Sequence, residues 1–142
     1  MMISTRGRYA LRVMADLAST GGENFVPLKE IAERQEISLK YLESIVTDLV
    51  KAGLLEGRHG KGGGYRLLRA PEDYTVGEVL RTIEGDLAPV ACLGKNAAPC
   101  ARASICPTIK MWAGLYDVVS KYFDGITVRD LTNLPDVPDY VI

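Results

Sequence analysis

The stretch ISLKYLESIVTDLVKAGLLEGRHGKGGGYRLL, residues 37–68, is the part of the chain whose reading decides the fold. Ser38 is placed to cap a helix, because its hydroxyl can accept from a backbone N–H of the first turn. Leu39, Leu42, Ile45, Val46, Leu49 and Val50 follow at three- and four-residue spacing, which puts them on one helical face. Gly53 supplies the stop. Leu54 and Leu55 then open a short strand, the glycine-rich GRHGKGGG of residues 57–64 reverses the chain, and Tyr65–Leu68 return as a second strand. A helix followed by such a two-stranded hairpin reads as a winged helix, with the helix entering the major groove of DNA.

A glycine-rich loop containing a lysine also invites a nucleotide reading, against which the surrounding residues weigh. A phosphate loop needs Gly-Lys followed by Ser or Thr and then a helix, yet Lys61 is followed by three glycines, Tyr65 and a strand-like run. A dinucleotide fingerprint begun at Gly60 and Gly62 would need its third glycine at the place of Tyr65, and no helix follows there either. An unliganded hairpin turn is the plain alternative. Arg58, His59 and Lys61 at the tip favour contact with the DNA backbone or minor groove.

Upstream, Ser4 can cap a first helix from about Thr5 to Ser19, ended by Gly21 and Gly22. Arg6, Arg8 and Arg12 lie in its first two turns, where cations oppose the helix dipole and so suit phosphate contacts better than they suit the helix. A solvated basic face is the ordinary alternative. Pro27 precedes a short helix from Leu28 to about Arg34, with Leu28, Ile31 and Ala32 inward, and the turn at Gln35–Ile37 is brief. Two short amphipathic helices joined this tightly make a helix-turn-helix, and the second is the reader. Its exposed N-terminal face offers Ser38, Lys40, Tyr41, Glu43 and Ser44. A carboxylate beside phosphates is repelled unless it accepts hydrogen bonds, so Glu43 points to the N4 amine of cytosine in the major groove.

Downstream, Thr75 caps a helix from Val76 to about Glu84, with Glu78 at the capping-box position. Periodicity then disappears from Gly85 to about Ile105. Pro107 is placed at a helix start, and the helix behind it carries Ile109, Met111, Trp112, Leu115, Val118, Val119, Tyr122 and Phe123, a broader apolar face than one small core needs. Pairing with the same helix of a second subunit would bury the surplus, so a homodimer is expected. Thr127 caps a short helix, VRDLTN, and the tail LPDVPDYVI reads as loose. The expected organisation is a mainly α fold with a small β-hairpin. Residues 1–85 form the winged helix-turn-helix, 86–106 a cysteine-containing loop, 107–134 a dimerisation helix with the short helix behind it, and 135–142 the tail.

The 142 residues suffice for one small domain with an extension, burying roughly two-thirds of the unfolded surface. The net charge of −1 divides unevenly: residues 1–70 carry 11 Lys and Arg against 8 Asp and Glu, and residues 71–142 carry 6 against 10. The first part can face phosphate and the second is repelled by it. No run of eighteen apolar residues and no signal peptide is present, so a cytoplasmic protein without a membrane partner is expected.

Cys92, Cys100 and Cys106 are spaced C-x7-C-x5-C in the loop before the long helix. Thiolates this close in sequence can converge on one soft metal centre, iron-sulfur or zinc, although three are one short of the usual four ligands. Free thiols and a redox disulfide are the other two readings. His59, the one histidine, belongs to the wing, and no acid-base pair stands near the cysteines, so no catalytic residue and no enzyme activity is expected.

The segments STRGRYALRVMADLA, VPLKEIAERQEISLKYLESIVTDLVKAGLLEGRHGKGGGYRLLR and YTVGEVLRTIEG, with the three-cysteine segment after them, resemble in order and spacing the Rrf-two class of dimeric winged-helix transcription regulators. That class is typified by the iron-sulfur cluster assembly regulator. The resemblance spans roughly residues 1–132. It implies a [2Fe-2S] cluster held by Cys92, Cys100 and Cys106, and base-edge contacts from Ser38, Tyr41 and Glu43. It further implies a wing in the adjacent minor groove and a double-stranded DNA operator; Thr5, Arg6, Lys40, Arg58, His59 and Lys61 complete the expected DNA-binding set. Ile109 stands three residues after Cys106, where cluster-assembly relatives have histidine, and Arg8 stands where nitric-oxide-sensing relatives have aspartate. The fourth ligand is unassigned. His59 occupies a wing position where the class commonly has arginine, with Arg58 beside it. Two other readings are a cluster-free winged-helix repressor controlled by thiol oxidation or a partner protein, and a metal-dependent redox protein.

Overall fold

A computed structural model describes residues 3–133. Its elements run α1 (Thr5–Thr20), α2 (Leu28–Gln35), α3 (Leu39–Lys51), β1 (Leu55–Arg58), β2 (Gly64–Leu67), α4 (Val76–Glu84), α5 (Ile109–Asp124) and α6 (Val128–Thr132), with single 3-10 turns at Pro71–Asp73 and Ala91–Leu93. The fold is the expected one, mainly helical with a small antiparallel hairpin. The caps form where they were read: Ser4, Ser38, Thr75 and Thr127 each accept a backbone N–H of the first helical turn. Thr127 and Asp130 close a full capping box. Glu78 does not, because its carboxylate is taken by Arg69 at 2.6 Å.

The core lies where α1, α3 and α4 meet, with Ala10, Val13, Met14, Leu42, Ile45, Val46, Leu49 and Val79 fully buried. Burying each large aliphatic side chain contributes about 1.5–3 kcal/mol. The stripe on α3 is narrower than its periodicity suggested: Leu39 and Val50 remain 44% and 36% exposed. At about 100° per residue both fall on one flank of the Leu42–Leu49 row, beyond the reach of α1 and α4.

The wing pairs Leu55 with Leu67 through to Arg58 with Gly64, so Gly57 and Arg58 belong to β1 and the turn is shorter than the glycine-rich run. The returning strand is displaced by one residue from its expected span, and Leu68 lies outside it, exposed. The hairpin is also not alone. Val26, in the α1–α2 linker, exchanges two backbone hydrogen bonds of 2.9 Å with Tyr65. Gly64 makes that approach possible: its φ is +143°, and a Cβ there would lie 2.2 Å from the Val26 carbonyl oxygen. At the other end of the hairpin, the buried Tyr74 hydroxyl donates to the Leu54 carbonyl at 2.7 Å and accepts from the N–H groups of Leu68 and Arg69.

The segment after α4 is less regular. Asp86 anchors it by accepting from the N–H groups of Ala88 and Lys95, and one 3-10 turn interrupts what had read as an unbroken loop. Thr108 is the N-cap of α5, so Pro107 stands just before the helix rather than at its first position. No residue of α5 is buried, and Met111, Leu115, Val118 and Tyr122 are 41–66% exposed. The chain then returns. Val76 donates to the Ile126 carbonyl, Val128 donates to the Tyr74 carbonyl, and α6 places Val128 in the main core. Leu134 and the 135–142 tail lie outside the described residues. No helix among the described residues is long and apolar enough to cross a membrane.

Candidate nucleic-acid interface and cysteine loop

The helix-turn-helix is held by a polar clamp on α1. The Asp16 carboxylate, 5% exposed, accepts from Arg34 at 2.8 and 3.0 Å, from Gln35 at 2.9 Å and from Thr20 at 3.3 Å. Burial pushes this carboxyl up, but the hydrogen bonds from Arg34, Gln35 and Thr20 and the charge of Arg34 outweigh it and hold it below the usual carboxylate range. Arg12 completes the clamp by donating to the side chain and carbonyl of Gln35. The end of α2, and with it the turn into α3, is thereby fixed to α1.

That turn presents one face of α3 outward. Ser38 accepts the Tyr41 N–H in its capping role and keeps its own proton to donate. The Lys40 and Glu43 side chains are exposed and have no ion-pair or hydrogen-bond partner among the described residues. Tyr41 is half-buried, its ring edge-on to Tyr9 at 5.7 Å, so it also packs α3 against α1. Beside this face lies the wing, with Arg58, His59 and Lys61 exposed. An open cleft separates the two, lined by Leu39, Glu43 and Thr47 on α3 and by Arg58, His59 and Tyr65 on the wing. A cationic rim opposite the Glu43 carboxylate suits a polyanion with donor groups on its edge.

The arginines of α1 are differently disposed. Arg6 donates to the Ser44 hydroxyl at 2.7 Å and pairs with Asp48, both on α3, while Arg8 donates to Thr5 at 3.0 Å. Arg6, Arg8 and Arg12 therefore each hold a group of this chain.

Sequence reading missed Asp16, Phe25, Val26 and Tyr74. Only Asp16 left a signal: a carboxylate three residues after Val13, beside the apolar stripe of α1. Phe25 sits under two guanidinium groups, Arg66 at 4.4 Å and Arg58 at 5.3 Å from its ring centre.

Cys92 lies in the 3-10 turn and is exposed, Cys100 is exposed, and Cys106 is half-buried just before α5; all three are free thiols. The Thr108 hydroxyl, 3.4 Å from the Cys106 sulfur, and then the backbone N–H groups of Thr108 and Ile109 push that thiol down from its ordinary value. Among the described residues no three His, Cys, Asp or Glu side chains are gathered closely enough to hold a metal ion. Three free thiols in one segment fit a soft metal centre in donor chemistry. Their present spacing does not yet make one.

A family model described as Rrf2, iron-dependent transcriptional regulator, matches residues 3–134. The HTH-type transcriptional regulator IscR of Aliivibrio salmonicida is 39% identical over 131 residues, covering 92% of this chain and 77% of that protein. Among solved structures, CymR, the global cysteine regulator of B. subtilis, superposes with a TM-score of 0.77 at 36% identity, covering 96% of this chain and 99% of that one. T. potens IscR superposes with a TM-score of 0.72 at 34% identity, covering 94% of this chain and 87% of that one.

Proposed function

Because the chain belongs to the Rrf2 family of transcriptional regulators, we propose that it binds a pseudo-palindromic operator as a homodimer and responds to iron-sulfur or redox status through the cysteine loop. The observation that carries the DNA reading is the Glu43 carboxylate, without a partner among the described residues, facing Arg58 and His59 of the wing across an open cleft. In this reading Ser38, Tyr41 and Glu43 work at base edges, and Thr5, Lys40 and Lys61 work at phosphates. Arg58 and His59 enter the neighbouring minor groove. The uncovered apolar face of α5 supports a second copy of the chain as its cover, which would set two reading helices about one turn of DNA apart.

Cys92, Cys100 and Cys106 would be the residues that hold a [2Fe-2S] cluster. Such a cluster supplies a centre that is labile to oxygen and changes charge on reduction. The chain's own contribution is mechanical: the loop joins α4, which packs on the winged helix, to α5, so any ordering of residues 85–108 changes how the two reading helices are spaced. The cluster-free reading, control by thiol oxidation or a partner protein, is favoured by the dispersed thiols, by the acidified Cys106 and by the likeness to CymR.

Anaerobic purification with iron and acid-labile sulfide assayed beside the visible spectrum separates the two. About two irons and two sulfides per chain, lost in Cys92→Ala, are expected. A colourless dimer that selects a DNA sequence without iron would put the cluster-free reading first.

A further inference from the structure

Among the described residues, Arg58 is the arginine of the winged helix whose guanidinium meets no acceptor. Of the others before Gly85, five hold carboxylates and two donate to Thr5 and Gln35. What Arg58 meets among the described residues is the ring of Phe25, 5.3 Å away and within cation–π range. Phe25 is itself immobilised from two sides. Its neighbour Val26 is bonded to Tyr65 of β2, and its ring lies 4.4 Å from Arg66, which Glu56 holds at 2.8 Å and the Glu23 carbonyl at 3.1 Å. A braced ring therefore lies beneath a cation that has no other partner among the described residues.

We propose that Phe25 is a positioning residue for the wing, holding Arg58 over its ring so that the guanidinium is presented to a narrow, A·T-rich minor groove beside each half-site. The inference rests on the DNA-binding reading above and deepens it. Long side chains lose rotamer freedom on binding, and a stacked guanidinium has already lost part of it. A ring offers attraction without a carboxylate, so the cation keeps its full charge for the groove. Narrow A·T tracts have an enhanced negative potential that draws arginine, whereas a guanine amino group widens and blocks the groove floor. Arg66 cannot take this role, since its charge is already matched by Glu56.

The test begins with selection of duplexes from a random library by wild-type protein, in both anaerobic and oxidised form. Affinities of Phe25→Leu, Phe25→Trp, Arg58→Ala, Arg66→Ala and the two doubles with Phe25→Leu are then measured on the selected site. They are measured again on a version with G·C pairs at the positions flanking each half-site. Phe25→Leu should weaken binding to the A·T-flanked site about 2- to 5-fold, should weaken the G·C-flanked site less, and Phe25→Trp should restore the affinity. In the Arg58→Ala background Phe25→Leu should change nothing, while in the Arg66→Ala background its effect should persist. Equal weakening with and without Arg58 would overturn the inference and leave Phe25 a packing residue, while the DNA reading stands on the selected site. If wild type selects no sequence in either form, the DNA reading fails and this inference with it.

Discussion

The winged helix and the arm formed by residues 85–124 are built on opposite terms. The first closes on itself: four apolar side chains of α3 and four of α1 are buried, and the buried Asp16 has three hydrogen-bonding partners. The arm is open, with a sixteen-residue helix that has no buried side chain and with Cys92 and Cys100 exposed. An exposed apolar face of this extent marks an interaction surface. In the function proposed above, specificity belongs to the closed part and response to the open one.

Mutations should separate the two regions by size of effect. Leu49→Ala, at a fully buried position, should lower unfolding free energy by about 2–5 kcal/mol. Val118→Ala, 65% exposed in the monomer, should change it by no more than about 0.5 kcal/mol at concentrations where the chain is monomeric. Denaturant melts across a dilution series check both. Comparable losses at both sites in the monomer would erase the contrast. Val118→Asp sharpens it from the other side: sedimentation should show a shift to monomer with the far-UV helical signal of the winged helix intact.

The clamp at Asp16 gives the next largest effect. Asp16→Asn should cost about 1–3 kcal/mol, less than a fully buried pair because Arg34 is 37% exposed. Asp16 is held below the usual carboxylate range. Its contribution is thus fully present above the unfolded value of about 3.9 and is lost as pH falls through the lower folded value. Acid melts of the variant should lack that part of the decline. Parallel pH profiles would show that the clamp is not linked to protonation.

Much of this architecture was legible in the sequence, and the misses have a common cause. Ser4, Ser38, Thr75 and Thr127 act on their own first turns, and Gly53 sits at φ +77° where α3 stops, so local chemistry reveals them. The Tyr74 hydroxyl reaches back twenty residues to Leu54, and Val26 pairs with a strand thirty-nine positions away. Periodicity carries no record of such contacts. Leu39 and Val50 misled for a related reason: spacing shows that a stripe exists, but its width depends on which helices cover it. The exposure of Ser38, Lys40 and Glu43 at the start of α3 was legible because none falls on the apolar stripe. The arginines of α1 were legible as a cationic cluster and illegible as braces.

Reading specificity should depend on the closed region alone. Glu43→Ala should lose about 1–3 kcal/mol of discrimination at one base pair per half-site, with general affinity preserved or raised because a carboxylate leaves the phosphates. Affinities across single-position operator variants measure it. Unchanged preference would make Glu43 a bystander.

Arg6 gives the smallest expected effect and the finest division. An arginine at a phosphate releases counterions on binding, and its loss lowers the salt slope by about one unit per contact. An arginine that braces α3 does not contribute to that slope. In this structure Arg6 holds both Ser44 and Asp48, with Arg6 32% and Asp48 45% exposed, a pairing of about 0–1 kcal/mol. Moving to a phosphate would leave Asp48 uncompensated beside DNA, so the ion pair should persist in the complex. Arg6→Ala should therefore weaken all operators slightly through a looser α3, at unchanged salt slope, and Asp48→Asn should do much the same. A slope reduced in Arg6→Ala and not in Asp48→Asn would instead place Arg6 at the phosphate backbone.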